Sequence, residues 1–111
     1  MRIIKPKLYL AMSVLLSNVP EEHRGANGCR QFTILVRSTS IKRVAYVLDT
    51  TVGHLTNFGG IHVDYPHADR ISVVPEDEID QIYYRVEHCV SGARGWFKYK
   101  RSESQDKRSP L

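Results

Sequence analysis

The chain is poor in cysteine: Cys29 and Cys89 are too few for a disulfide framework and too far apart for a metal knuckle or a redox pair. Reduced, partly buried thiols are expected. No uninterrupted apolar stretch approaches the roughly 20 residues of a membrane-spanning helix. The run LYLAMSVLL at 8–16 is far shorter, and although Arg2, Lys5 and Lys7 precede it, the SNVPEE that follows offers no small-residue cleavage site. A cytoplasmic setting without membrane contact is expected. Gly25, Gly28, Gly59 and Gly60 satisfy neither nucleotide-binding fingerprint, which leaves no phosphate-cradling loop. A nucleophile elbow and a recognised cysteine-centred signature are also missing. His88 and Cys89 are only neighbours in sequence, and on a helix adjacent side chains diverge by about 100°. Neither an enzyme nor a cofactor is expected, and no internal repeat is apparent.

The 111 residues, 41% hydrophobic and 25% charged, suit one small globular domain able to bury a core without disulfide or metal. The net charge of +4 is uneven. Residues 1–92 carry ten basic and ten acidic side chains, whereas 93–111 hold Arg94, Lys98, Lys100, Arg101, Lys107 and Arg108 against Glu103 and Asp106. A second asymmetry lies within the body: eight basic and two acidic groups over 2–43, then two basic and seven acidic over 64–87. Such a bipolar surface suits nucleic acid or a larger charged protein as partner.

In the first apolar run, Leu10, Met12, Val14 and Leu16 alternate with Tyr9, Ala11 and Ser13, the period of a strand. After the turn-rich PEEHRGANGC, Phe32, Ile34 and Val36 alternate again, which predicts an antiparallel hairpin with a long loop. Ser40 can cap a helix bearing Ile41, Val44, Ala45 and Leu48, and Thr51 a second bearing Val52, Leu55 and Phe58, closed by Gly59-Gly60. Of the short apolar runs 61–63 and 71–74, one is expected to join the sheet. Pro75 with Glu76, Asp77 and Glu78 is a favourable helix opening, and Ile79, Ile82, Tyr83, Val86 and Cys89 fall on one stripe, so a helix over 76–90 is preferred. The alternative is a hairpin of QIYYRVE with WFKYK, both rich in aromatic and β-branched residues. The expected fold is a single α+β domain over 1–101, with an antiparallel sheet opened by the long-loop hairpin and two or three helices covering one face. Residues 102–111 are expected to be a disordered basic tail.

The segment RVAYVLDTTVGHLTNFGG, 18 residues from Arg43, places Ala45, Leu48, Val52 and Leu55 where a helix-turn-helix needs small and apolar side chains. It resembles that motif in bacterial regulators of the mercury-resistance type, departing at Asp49, where the turn usually has glycine. The resemblance implies that Thr51, His54 and Asn57 reach base edges while Lys42 and Arg43 contact phosphates. Helices that merely cover the sheet explain the same spacing.

Two further clusters stand out. His62, Asp64, His67 and Asp69 are all metal-ligating types within eight residues, but their spacing matches no standard site, so a polar loop is preferred and no metal is expected. Trp96, Phe97 and Tyr99, interleaved with Arg94, Lys98, Lys100 and Arg101, could stack bases while tracking a backbone. Alternation puts Trp96, Lys98 and Lys100 on one face and Phe97 with Tyr99 on the other, which also describes a protected edge strand. The sequence therefore points to a small non-enzymatic nucleic-acid-binding protein, acting through the basic C-terminal segment and the helix-turn-helix-like segment. Its rival is a protein-binding adaptor or inhibitor of the kind carried by phages and mobile elements.

Overall fold

The structure, a computed structural model, describes residues 5–25, 28–63, 73–89 and 91–100. The predicted hairpin forms. Strand β1 (Lys7–Leu15) pairs antiparallel with β2 (Gln31–Ser38), Tyr9 lying opposite Val36 and Ala11 opposite Ile34. The register then slips: Val14, not Ser13, is the next aligned residue, and Ser13 adopts φ 56. One extra residue in a chain of period two moves everything beyond it to the opposite face. The single apolar face expected for Leu10, Met12, Val14 and Leu16 is thus divided. Tyr9, Ala11, Val14 and Leu16 enter the main core, Leu8 and Leu10 enter a second one, and Met12 is exposed.

Helix α1 (Ile41–Val47) begins where expected, with extended Ser40 accepting the Arg43 backbone N–H at 3.1 Å. It ends in a turn whose Asp49 has φ 58, the left-handed conformation that glycine would take without cost. Thr51 caps the short α2 (Val52–His54), its Oγ1 accepting the His54 N–H at 3.0 Å, and the chain continues as a wide π-helical turn over Leu55–Gly59. Gly60, at φ 66, offers its carbonyl to the Met12 N–H at 3.0 Å and starts β3 (Ile61–Val63) along β1.

The helix expected over 76–90 does not form. Pro75 to Glu78 make a turn, with the Glu78 N–H donating to the Pro75 carbonyl at 3.1 Å, and Asp80 reverses the chain at φ 63. Strand β4 (Ile82–Val86) follows, pairing antiparallel with β2 on one side and with β5 (Gly95–Lys98) on the other. Ile82, Tyr84 and Val86 are buried on alternate positions. The acidic opening favours a helix locally, but pairing with β2 satisfies the backbone of this aromatic and β-branched stretch and buries its alternate side chains. Among the described residues five strands run in the order β3-β1-β2-β4-β5, all neighbours antiparallel, and the fold is α+β. Of the short runs, β3 joins the sheet. Residues 71 and 72 lie outside the described residues, and Val73 and Val74 are not in a strand.

The sheet is apolar on both faces. Ala11, Ile34, Val36, Ile82, Tyr84 and Tyr99 share the main buried cluster with Val44, Ala45 and Val47 of α1 and with Leu55. On the opposite face Leu8, Leu10, Leu35 and Val74 form a smaller cluster, against which Val73, Tyr83 and Trp96 pack. The long loop after β1 is fastened to the C-terminal strands. Asn18 donates its N–H to the Tyr99 hydroxyl at 3.0 Å and its side-chain amide to the Lys100 carbonyl at 2.7 Å, while the Ser91 hydroxyl donates to the Glu22 carbonyl at 2.6 Å. Among the described residues no helix is long and apolar enough to cross a membrane. The tail expected over 102–111 lies outside the described residues.

Candidate functional site

The side chains singled out in the sequence fall into two groups that the fold keeps apart. In the helical group, Lys42 is exposed, whereas Arg43 is half-buried, its Nε donating to Asp80 Oδ2 at 2.9 Å and its guanidinium lying 5.0 Å from the Tyr46 ring centre. The Thr51 hydroxyl oxygen is engaged as a cap. His54 and Asn57 are exposed, and His54 lines a cleft of about 370 Å³ with Ser13, Gln31 and Asp49. In the C-terminal group Arg94, Lys98 and Lys100 are exposed, and Arg101 lies outside the described residues. The helices share their core with the face holding Ile34 and Ile82, while Lys98, adjacent to core-facing Phe97, is opposite Tyr83 on the other face. Among the described residues no single sheet face collects both groups.

What the fold does assemble is a patch across β4 and β5. Tyr83 is aligned with Lys98, and Arg85 with Trp96. Cross-strand partners share a face, with backbones about 5 Å apart and successive same-face positions about 7 Å apart. Two half-buried aromatic rings and two exposed cations therefore alternate on a two-by-two grid. The packing confirms the parity read from WFKYK: Trp96 lies against the second cluster, and Phe97 and Tyr99 belong to the main core. Beside Arg85 the strands border a smaller cleft of about 200 Å³ that Gln31, Thr33 and His23 also line.

Glu78, from the turn preceding β4, reaches this patch. Its Oε2 lies 2.9 Å from Lys98 Nζ, and its Oε1 accepts a short hydrogen bond from the Tyr83 hydroxyl. The Tyr83 hydroxyl and the Lys98 ammonium hold the Glu78 carboxyl below its usual range. Burial, then the bond to Glu78, pushes the Tyr83 hydroxyl up to about 12. Arg85 has its own carboxylate partner, Glu87, at 3.3 Å.

Tyr83, Arg85 and Glu78 are the members of the patch that sequence reasoning missed, because a helix over 76–90 aims Tyr83 at a core and separates it from Lys98. The alternation in Ile82-Tyr83-Tyr84-Arg85-Val86 was the available signal. Of the four metal-type residues, His62 sits on β3 opposite Leu10, and Asp64, His67 and Asp69 lie outside the described residues. Among the described residues no three His, Cys, Asp or Glu side chains are grouped to hold a metal ion.

No family model, curated protein or solved structure matches this chain.

Proposed function

We propose that the protein is a non-enzymatic binder of single-stranded nucleic acid, with the β4–β5 face as its contact surface. The observation that carries this reading is the grid of Trp96 and Tyr83 with Arg85 and Lys98 on one sheet face. The part of an aromatic ring left open on a sheet face can accept any base by stacking, and cations at the same spacing track the phosphate backbone, so such a face binds with little sequence preference and strong salt dependence. Lys100 and Arg94, exposed at either end of β5, extend the positive strip. The helical group supports duplex reading less well. The Thr51 hydroxyl oxygen is occupied by its cap, and the carboxylate of Asp49 shares the cleft of His54, where it would repel phosphate.

Trp96 is the only tryptophan in the chain and lies on the proposed surface, so intrinsic fluorescence reports contact directly. Titration with oligothymidylate at about 50 mM salt, where phosphate contacts are strong, is expected to quench it, and the affinity should fall steeply by about 200 mM. Unchanged emission together with no mobility shift for either DNA or RNA would exclude this function.

A second reading, a protein-binding adaptor, rests on a different observation. Met12 and Leu15, flanking the β1 bulge, are 42% and 63% exposed. Exposed apolar side chains beside a cleft suit a protein partner more than a polyanion. Recovery of one stoichiometric protein from the native host, insensitive to nuclease and lost on Leu15→Ser substitution, would select this reading.

A further inference from the structure

Both cations of the aromatic face are already in contact with carboxylates of the chain itself. The pair made by Glu78 is the better defined. A carboxylate presents two anionic oxygens, and Glu78 uses one for the Lys98 ammonium at 2.9 Å and the other for the Tyr83 hydroxyl. Two non-bridging oxygens of a phosphodiester present the same pair of acceptors. Lys98 and Tyr83 are aligned across β4 and β5, and Trp96 stands two residues from Lys98 on the same face, about 7 Å away along the strand. That separation is suited to one nucleotide, its base on the indole and its phosphate between the ammonium and the hydroxyl.

We propose that Lys98 Nζ and Tyr83 Oη form a phosphodiester subsite of the nucleic-acid surface, and that the Glu78 carboxylate fills this subsite until a phosphate displaces it. The inference deepens the function proposed above and rests on it. Displacement requires little structural change. The Glu78 backbone is held in its turn by the bond to Pro75, so rotation of the side chain is enough to vacate the subsite. The ion pair is also easily exchanged, because the Lys98 side chain is 53% exposed and such pairs contribute little net stability. Glu78 therefore sets a threshold. Isolated anions compete poorly with a tethered carboxylate, whereas a strand that also stacks on Trp96 brings its phosphate with additional binding energy.

The test is an oligothymidylate titration of the full chain followed by Trp96 fluorescence, comparing wild type with Glu78→Gln, Glu76→Gln, Lys98→Gln and the Glu78→Gln/Lys98→Gln double variant. Glu76 is an exposed acid of the same turn, so Glu76→Gln changes the net charge equally without touching Lys98 in the structure. Glu78→Gln is expected to tighten binding about fivefold at 50 mM salt, because the phosphate no longer has to displace a carboxylate, while Lys98→Gln is expected to flatten the logarithmic salt dependence by about 0.7, the loss of one phosphate contact on a single strand. Glu76→Gln should change affinity less than about twofold, and the gain from Glu78→Gln should vanish in the Lys98→Gln background. Equal gains from the two glutamine variants, or a gain that survives Lys98→Gln, would overturn the subsite while quenching of Trp96 left the surface itself standing. Absence of binding by wild type and all variants would overturn both.

Discussion

Asp80 shows how much one side chain can organise. It adopts the left-handed conformation that aspartate tolerates better than most residues, and its N–H donates to the Arg37 carbonyl at 2.7 Å. Its carboxylate accepts from the Ser38 hydroxyl at 2.5 Å and from Arg43 Nε at 2.9 Å. The end of β2, the first turn of α1 and the entry to β4 therefore meet at one group. Ser38 is fully buried, so removing its acceptor strands a buried hydroxyl. Asp80→Ala is expected to destabilise the fold by about 2 kcal/mol, most of it from that loss rather than from the partly exposed ion pair, as judged by the midpoint of denaturant unfolding. The Glu78–Tyr83 contact makes a prediction in pH. The Tyr83 hydroxyl is raised from 10.0 to about 12 in the folded chain, so its contribution is complete below pH 10 and is lost as pH climbs towards 12. Glu78, held low, acts in the opposite sense: its contribution is present above its ordinary value of 4.5 and disappears as pH falls through its folded value. Tyr83→Phe should flatten the alkaline loss of stability relative to wild type, measured by unfolding across pH 9.5–12, a range chosen to bracket the tyrosine shift.

At the scale of elements, the bulge in β1 decides which side chains the sheet buries. Ser13 supplies the extra residue and the positive φ, a conformation costing a non-glycine residue about 1–2 kcal/mol. Ser13→Gly relieves that cost but adds roughly 0.5–1 kcal/mol of unfolded-chain entropy, so its net effect should be small. Ser13→Val should destabilise by about 1–2 kcal/mol, since a β-branched side chain fits the left-handed region worst. Thermal unfolding of the two variants checks the contrast, and equal effects would place the strain elsewhere. The helices at 41–47 and 52–54 were legible in the sequence because caps are local: Ser40 and Thr51 each bond a backbone N–H three residues on. The strand at 82–86 was not. Its residues fit both periods, and the choice was made by β2, almost 50 residues earlier in the chain, which no local window contains.

For the molecule as a whole, the basic stretch over 94–100 is not a detachable arm. Tyr99 is buried and receives the Asn18 N–H, Phe97 packs against the main core, and Gln81 donates its side-chain amide to the Tyr99 carbonyl at 2.9 Å. A chain ending at Gly92 is expected to lose cooperative unfolding, because it forfeits β5 and exposes one edge of β4 and the core beneath. Lys98→Gln with Lys100→Gln should leave the unfolding midpoint nearly unchanged and weaken oligothymidylate binding several-fold, since exposed charges contribute little to stability but each phosphate contact contributes to the salt-dependent affinity. Circular dichroism melts alongside the fluorescence titration separate the two effects. If charge removal alone abolished folding, the basic strip would have to be counted as part of the scaffold.

Features whose cause lies within a few residues are legible in the chain alone: the capped helices, the long-loop hairpin, the glycine exit at Gly60, and the parity that sends Phe97 and Tyr99 inward and Trp96 and Lys98 to the other side. That β1 carries a one-residue slip and that 82–86 is a strand follows from long-range pairing. Strand pairing also aligns Tyr83 and Arg85 with Lys98 and Trp96. The reason is the reach of the interactions. A cap or a turn is settled by backbone bonds that one short segment makes with itself, whereas strand pairing trades those bonds with distant segments, and a single inserted residue there reverses a face without altering composition.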